Sequence, residues 1–549
     1  MKIIINDNGG YKWHSKGEVF VKGYFQRGDS VEVYKGDSAC DLLSSVDSLK
    51  EFKTILSELY GSFAIIIKRD NAILAAVDIA RSMPLFYNKD NALVSDSAES
   101  IRKELGIDKE SVNYDNYLEL YSCDYVFGHD TVYSQINQLN LGELLSISEN
   151  ELRIDQYFKH LPKKPILEDS QCKKEILDAT YKAFYRLKEV IGNRPVLISM
   201  SGGYDSRFVG CMLKNVGITD VSCYTYGKKG IFEVTQSKKN ADALGFRWTC
   251  VELTDDIVAR CADDIGEDYW DSYTGHDFTA YMQNFPAVRK LHEDGWIKPG
   301  SVVITGLCGD MPTGEYVFEK QLSVTYNYEW LTDHLYDITF TRYKMPPSFV
   351  DSWKKKVMTR IKDIGIDIVD YESAVRAFQC IYTETCHVHW FMHMNSVHSF
   401  FGYEWLLPYW DRDILNVWYR VPTHYLRKQV LYEDILLNDI CAPYGLGQKK
   451  TIAGYSSNIF VRKLMYKVGS IFAYLFLHLG IPFKRGAKDY LNQAPLELAV
   501  YKKIPYKGSI EYERAGLMHL VNQYLLQKRY GINNMKNANK VVKTSNNYL

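Results

Sequence analysis

In SMSGGYDSR, Ser199 to Arg207, the apolar run PVLISM passes into two adjacent glycines, a carboxylate and a hydroxyl. A turn that follows a parallel strand exposes backbone N–H groups that no ladder uses. The helix expected to begin near Asp205 or Ser206 adds its own free N–H groups, and together they make an anion site. Gly202 and Gly203 let the backbone close around an oxyanion with no Cβ in the way. Ser199, Ser201 and Ser206 can add hydroxyl donors. Asp205 cannot serve a bare phosphate, because like charges repel, but it fits if it holds Mg²⁺ that in turn binds phosphate. The GxxxxGK[ST] pattern of the P-loop is absent. The competing reading is a plain strand-to-helix turn with Asp205 and Ser206 as helix caps. A second stretch, SVVITGLCGDMPTG, Ser301 to Gly314, sets Asp310 behind another strand and glycine pair. Two acids at the ends of neighbouring parallel strands can share one Mg²⁺.

The elements that must position these turns follow from periodicity. From residue 165 onward strand and helix alternate. CKKEILDATYKAFYRLKEVIG reads as helix, NRPVLISM as strand, DSRFVGCMLKNVG as helix, VSCYTYG as strand, FEVTQSKKNADALGF as helix, FRWTCVEL and SVVITG as strands. Those lengths suit a parallel, doubly wound sheet, whose ligands sit at the C-terminal strand ends. The remainder to about residue 530 reads as mainly helical. The first 160 residues read differently, as strands and turns. KGEVFVKGYF and DSVEVY flank a QRGD turn, and LKEFKTILSELY puts Leu49, Phe52, Ile55, Leu56 and Leu59 on one side of a helix. Lys68-Arg69-Asp70-Asn71 joins two apolar runs as a hairpin, and the continuous FAIII run expects cover on both faces. LPKKP marks a linker. The expected division is 1–160, 165–530 and a basic, Asn-rich flexible tail over 531–549.

At 549 residues the chain exceeds a single core. Its formal net charge of −1 gives no electrostatic case for nucleic acid as a partner. The eleven cysteines are scattered with no CxxC pair, which argues against a disulfide framework or closed zinc site and for a reducing, cytoplasmic setting. MKIIINDNGG reads as no signal peptide. Ile471 to Phe483, the most apolar late run, is too short to span a bilayer and reads as a buried helix.

These motifs resemble those of the asparagine synthetase superfamily, which includes asparagine synthetase B, β-lactam synthetase and the lasso-peptide cyclases. SMSGGYDSR is similar to the SGGxDS pyrophosphate loop. Val221 to Phe246, with Tyr226-Gly227, Glu233 and Leu244-Gly245, resembles the segment that follows, and VVITGLCGDM the segment with the second Mg²⁺ ligand. YEWLLPYWDRDIL resembles ExRxPFLDxxL through Glu404, Pro408 and Asp411. Gly61, Phe63, Asp78 and Pro84-Leu85 resemble the end of an amidotransferase-like domain. The resemblance covers roughly residues 20 to 455. It implies an α+β N-terminal sandwich of the N-terminal-nucleophile amidotransferase type, inactive here. An α/β parallel-sheet synthetase domain of the adenine nucleotide alpha hydrolase-like kind follows, with a largely helical C-terminal part. It further implies that a substrate carboxylate attacks the α-phosphorus of ATP, giving an acyl-adenylate and pyrophosphate, and that an amine then displaces AMP. Ser199, Ser201, Gly202, Gly203, Asp205 and Ser206 would hold the pyrophosphate region, Asp205 and Asp310 the Mg²⁺, and Met200, Tyr226 and Gly306 would line the nucleotide. A homodimer is an open expectation.

Departures from the family pattern bear on the reaction. The family's glutaminase needs a cysteine at the mature N-terminus, whereas residue 2 is Lys, the first cysteine is Cys40 and no NGE motif occurs. The amine is therefore expected from ammonia, a second substrate or the substrate itself. Leu307 stands where β-lactam synthetase has a tyrosine that helps deprotonate its amine. Met311 replaces an acid and Leu406 the arginine of ExRxPFLD. Arg207 replaces a small residue; it either clamps a phosphate or carboxylate or lies on the helix's solvent face. Lys449 and Lys450, in GLGQKKTIAG, are candidates for the family's late lysine, against an ordinary basic loop. Glu384 and Glu372 are candidates for the general base acting on the amine, against surface helix acids. His389 and His393, four apart, could bind zinc with Glu384, Cys386 or His398, or face substrate, against simple packing. The reading is an ATP-dependent ligase making an amide or lactam. The alternatives are a non-catalytic nucleotide-binding or protein-interaction scaffold and an ammonia-dependent amidation.

Overall fold

The computed structural model describes residues 1–6, 9–161, 166–228, 230–254, 256–257, 268–340, 345–449 and 517–532. Ten strands build the first domain: β1 Lys2–Ile4, β2 Trp13–Lys16, β3 Val19–Arg27, β4 Leu59–Arg69, β5 Ala72–Val77, β6 Phe86–Asn88, β7 Leu93–Ser95, β8 Asn137–Gln138, β9 Glu143–Ile147 and β10 Leu152–Gln156. They form a six-stranded antiparallel sheet, β10-β9-β5-β4-β3-β2, and a four-stranded mixed sheet, β1-β7-β6-β8. The expected hairpin is β4–β5, closed by Asp70-Asn71 with Arg69 opposite Ala72. Phe63 to Ile67 are buried on both faces, as their continuous apolar run requires. Two expectations are corrected. Asp29 to Tyr34 forms no strand, only a bridge between Phe25 and Tyr34. The helix ends earlier than its periodicity suggested: Leu49–Leu56 is helical, started by a capping box of Ser48 and Glu51, and Leu59 opens β4.

The second domain alternates as expected: α5 Asp169–Ile191, β11 Val196–Ser199, α6 Tyr204–Asn215, β12 Val221–Gly227, α7 Phe232–Leu244, β13 Arg247–Glu252, then β14 Val302–Ile304 and β15 Glu404–Leu406. (Here α5, α6 and α7 follow α1 Asp37–Leu43, α2 Leu49–Leu56, α3 Ala98–Glu104 and α4 Tyr114–Cys123 in chain order.) The five strands form an all-parallel sheet in the order β13-β12-β11-β14-β15. The chain builds outward from β11 in one direction, then returns to β11's other side with β14. Such a reversal opens a crevice at the C-terminal ends of the two strands. Val196–Ile198 and Val302–Ile304 are fully buried, so the crevice rests on a rigid floor.

A helical region follows, with Tyr328–Thr339, Pro347–Ile364 and Tyr371–Tyr382 packed around their own aromatic core. One larger core runs through both sheets of the first domain and into the second. Polar ties cross the same boundary. Arg81 pairs with Asp277 at 2.8 Å, Tyr11 donates to the Trp405 carbonyl at 2.7 Å, and Arg412 donates to the carbonyls of Leu56 and Ser57. Among the described residues no helix is long and apolar enough to cross a membrane. Lys450, the Ile471 to Phe483 run and residues 533–549 of the tail lie outside the described residues, as do 162–165 of the linker.

Candidate functional site

The two turns singled out above leave adjacent strands at that crevice, with Ile198 of β11 in register with Ile304 of β14. In the first turn each amide already has an acceptor. Ser201 N–H donates to Ser206 Oγ at 3.0 Å, Gly202 N–H to Glu233 Oε1 at 3.0 Å and Gly203 N–H to Ser201 Oγ at 3.0 Å. Helix α6 begins at Tyr204 with Gly203 as its N-cap and no side-chain cap, so Asp205 and Ser206 are inside the helix and do not cap it. The Ser201 carbonyl accepts from Asn240 Nδ2 and the Met200 carbonyl from Ser237 Oγ, which fixes the turn's underside to α7. Met200 itself is fully buried, and a Cβ on Gly210 would press against its methyl. Its side chain is core, so any contribution to a nucleotide pocket is limited to its backbone. Ser199 is half-buried at the end of β11. Tyr226, at the end of β12, is half-buried with its hydroxyl pushed up to about 12 by burial.

The second turn reaches the first at Gly306. A Cβ there would stand 3.0 Å from both the carbonyl carbon and the Cβ of Asp205. Cys308 takes a φ of 61°, a left-handed conformation that is costly outside glycine. Asp310 opens the short helix Asp310–Thr313. Burial raises its carboxyl above the ordinary range; the hydrogen bond from Tyr316 (3.1 Å) opposes this, and no cation pairs with it among the described residues. Asp205 Oδ1 accepts from Tyr432 at 2.9 Å, and Tyr432 and Tyr409 share a hydroxyl–hydroxyl bond of 2.6 Å. Tyr409 is near enough to both acids to feel their charge. Its ring fills the space where a Cβ on Gly309 would go, and burial raises its hydroxyl with the charges of Asp205 and Asp310 adding to the shift. Sequence reasoning missed Tyr409 and Tyr432. The signal for Tyr409 was present, because it occupies the phenylalanine position of the ExRxPFLD-like stretch.

Lys449 is exposed and bonds Glu433 at 2.9 Å, whose other oxygen accepts from Tyr204 at 2.5 Å. Burial would raise Glu433, but Tyr204 and Lys449 outweigh it and hold the carboxyl below its ordinary range. A late lysine is thus one carboxylate away from the SGGYDS turn. Arg207 corrects both readings made of it. It neither faces solvent nor opens toward a ligand; it is 2% exposed and donates to the carbonyls of Leu446 (3.1 Å), Gln448 (2.7 Å) and Gly202 (3.3 Å). It straps the late loop to the first turn.

Glu384 also departs from expectation. It is no surface acid: it is buried, with both oxygens on Arg360 at 2.7 and 2.9 Å. Both carboxylate oxygens are thus engaged by a guanidinium. Glu372 is partly exposed and pairs with Arg376 and Thr423. The histidines do not share one helix face, since a π-helical turn, Thr383–His387, and a 3₁₀ segment, Phe391–Asn395, interrupt the stretch. His389 and His393 are buried and depressed by burial; one meets Asn140 and the other stacks on Phe278. Among the described residues no group of three or more His, Cys, Asp and Glu is placed to hold a metal. Mg²⁺ needs less, because it takes one or two carboxylates and completes its shell with phosphates and water, and the hard oxygens of Asp205 and Asp310 fit that demand. Glu404 and Asp411 are structural. Glu404 pairs with Arg194 and Lys35, while Asp411 caps Arg412–Trp418 and takes a two-pronged bond from Arg186.

Residues 187–438, which include both turns, match the asparagine synthase family model. Over that segment the chain has a distant relationship to the PP-loop ATPase, or adenine nucleotide alpha hydrolase, superfamily with the asparagine synthetase-like fold. The match assigns no particular subfamily. No curated protein matches the sequence. Solved structures that align include an NH3-dependent NAD synthetase from Campylobacter jejuni (14% identity, 35% of this chain and 96% of that one, TM-score 0.20). Others are a glutamine phosphoribosylpyrophosphate amidotransferase from B. subtilis (13%, 48% and 76%, 0.17) and a predicted tRNA methyltransferase subunit from Methanocaldococcus jannaschii (20%, 33% and 85%, 0.15). At those TM-scores they add nothing to the family match.

Proposed function

We propose that the protein is an ATP-dependent carbon–nitrogen ligase. A substrate carboxylate attacks the α-phosphorus of ATP, pyrophosphate leaves, and an amine then displaces AMP to form an amide or lactam. The observation that carries this reading is the meeting of two glycine turns at the reversal of the parallel sheet, with Asp205 and Asp310 both acting on Tyr409. Ligands of open parallel sheets sit in that crevice. The departing pyrophosphate gains charge, and the amides and serine hydroxyls of Ser201 to Ser206 would receive it on releasing the acceptors they now hold, Ser206, Glu233 and Ser201. Asp205 and Asp310 would hold Mg²⁺, which supplies charge neutralisation for the phosphates when bound. Lys449 would act from its place on Glu433, the carboxylate that also accepts from the Tyr204 hydroxyl.

The first domain we read as an amidotransferase-type scaffold without glutaminase chemistry. Cys40 is buried on α1, with its thiol raised by burial, and Cys123 donates to the Glu119 carbonyl. Neither is a poised thiolate. The amine then comes from free ammonia, a second substrate or the carboxylate substrate itself.

The test is pyrophosphate and AMP release from ATP, Mg²⁺ and a pool of carboxylates. The expected result is release that requires a carboxylate and falls by about 10²-fold or more in Asp205→Ala, the scale of losing a charge-stabilising group. A protein that binds no ATP at all would replace this reading with the scaffold one.

A further inference from the structure

The amide of Gly202 is held by a charge. Of the three acceptors in the first turn, two are the turn's own serine hydroxyls and the third is the carboxylate of Glu233, brought by another element, α7. A hydroxyl can rotate from acceptor to donor, so Ser201 and Ser206 can each turn toward an arriving phosphate oxygen. A carboxylate has no proton to give and can only compete. The contact is close: a Cβ on Gly202 would meet Gln236 at 3.3 Å and Glu233 Oε2 at 3.5 Å. Among the described residues no cation pairs with Glu233, and its side chain is exposed, so it can leave the amide for water without a desolvation cost.

On the reading of this turn as a phosphate site, we infer that Glu233 determines which phosphates the turn accepts. Its carboxylate occupies the amide that a phosphate oxygen would take and repels any chain that arrives with its full negative charge. A chain whose charge a divalent cation has reduced displaces it at lower cost. Glu233 thus selects the metal complex of a pyrophosphate-bearing nucleotide over the bare anion.

Binding of inorganic pyrophosphate to the full-length protein tests this, measured by calorimetry with Mg²⁺ in one arm and EDTA in the other. Glu233→Gln keeps an oxygen acceptor for Gly202 and removes the charge. It is expected to bind metal-free pyrophosphate about tenfold more tightly than wild type, equivalent to about 1.4 kcal/mol. Affinity for the magnesium complex should change by less than about threefold, below half of that free energy. Glu233→Ala should shift the ratio in the same direction, and thermal unfolding identifies either variant if it is not folded. A structural prop would behave otherwise: both forms of pyrophosphate would weaken together, and that result, or an unchanged ratio in the two variants, overturns the inference. Failure of wild type to bind pyrophosphate in either arm counts instead against the phosphate reading on which it rests.

Discussion

Arg207 sits six residues beyond the turn's first amide, that of Ser201, in a position where a cation invites a phosphate-clamp interpretation. Its surroundings assign it a different task. Three carbonyl oxygens from two segments converge on one guanidinium, whose planar fork turns one nitrogen to Leu446 and Gln448 and another to Gly202, where an ammonium has a single nitrogen to place. Arg207→Lys preserves the charge and loses the fork, which separates the two roles. If charge mattered, lysine would suffice. We expect it to fail: stability falls by about 1–3 kcal/mol because buried carbonyls lose donors. Pyrophosphate release should fall with it, since the 446–449 loop that carries Lys449 is no longer strapped to the first turn. Denaturant unfolding and turnover at saturating ATP check the two parts. Glu384 teaches the same lesson from the opposite charge. A carboxylate that reads as a free base in sequence is spent on Arg360, a partner 24 positions earlier that no local pattern reveals.

The elements show why some of this was legible. Alternation from Asp169 to Glu252 placed β11 to β13 and helices α5 to α7, because buried parallel strands must be apolar runs and their crossover helices amphipathic, whereas β15, Glu404–Leu406, was not read as a strand. The positions of the two turns were legible for the same reason, since each follows a buried strand of the sheet. Where periodicity carried no such constraint it misled. DSVEVY alternates well enough for a strand but makes only one bridge, and the histidine stretch has helical spacing but is broken by π and 3₁₀ turns that only packing dictates. The tyrosine pair on Asp205 joins residues separated by more than 200 positions, which no spacing rule reaches. What the elements fix most tightly is the approach of the two turns at Gly306. Gly306→Ala would place a Cβ 3.0 Å from atoms of Asp205. Overpacking of that kind costs about 1–3 kcal/mol. The larger effect should be on chemistry, because the displaced atoms belong to Asp205, which we propose would hold Mg²⁺; a misplacement of about 1 Å can cost about 10²-fold in rate. A Gly306→Ala protein that unfolds near the wild-type midpoint yet releases pyrophosphate far more slowly is the expected outcome. Equal losses in both measurements would mean the close approach matters only for folding.

At the scale of the whole molecule the question is why a first domain without a poised thiolate is kept so firmly attached. Arg81 answers in part. It lies in the loop after β5, takes a left-handed φ of 50°, and reaches Asp277 of the second domain with both side chains fully out of solvent. The same guanidinium donates to the Leu139 carbonyl at 2.8 Å and to Gln138, so one residue ties β8 and the chain beyond it to the neighbouring domain. A buried pair of this sort is a weak source of net stability but a strong penalty when one partner is lost, because the remaining charge has no solvent to return to. Arg81→Met should therefore destabilise the protein by about 3–5 kcal/mol, more than Arg81→Met combined with Asp277→Leu, which removes both charges. The decisive observation is the shape of unfolding. If the continuous core and these ties make the two domains one cooperative unit, wild type unfolds in a single transition by near-UV circular dichroism and calorimetry alike, and Arg81→Met splits it into two. A wild-type protein that already unfolds in two steps would show that the first domain is a passenger and that the crevice at the parallel sheet does not depend on it.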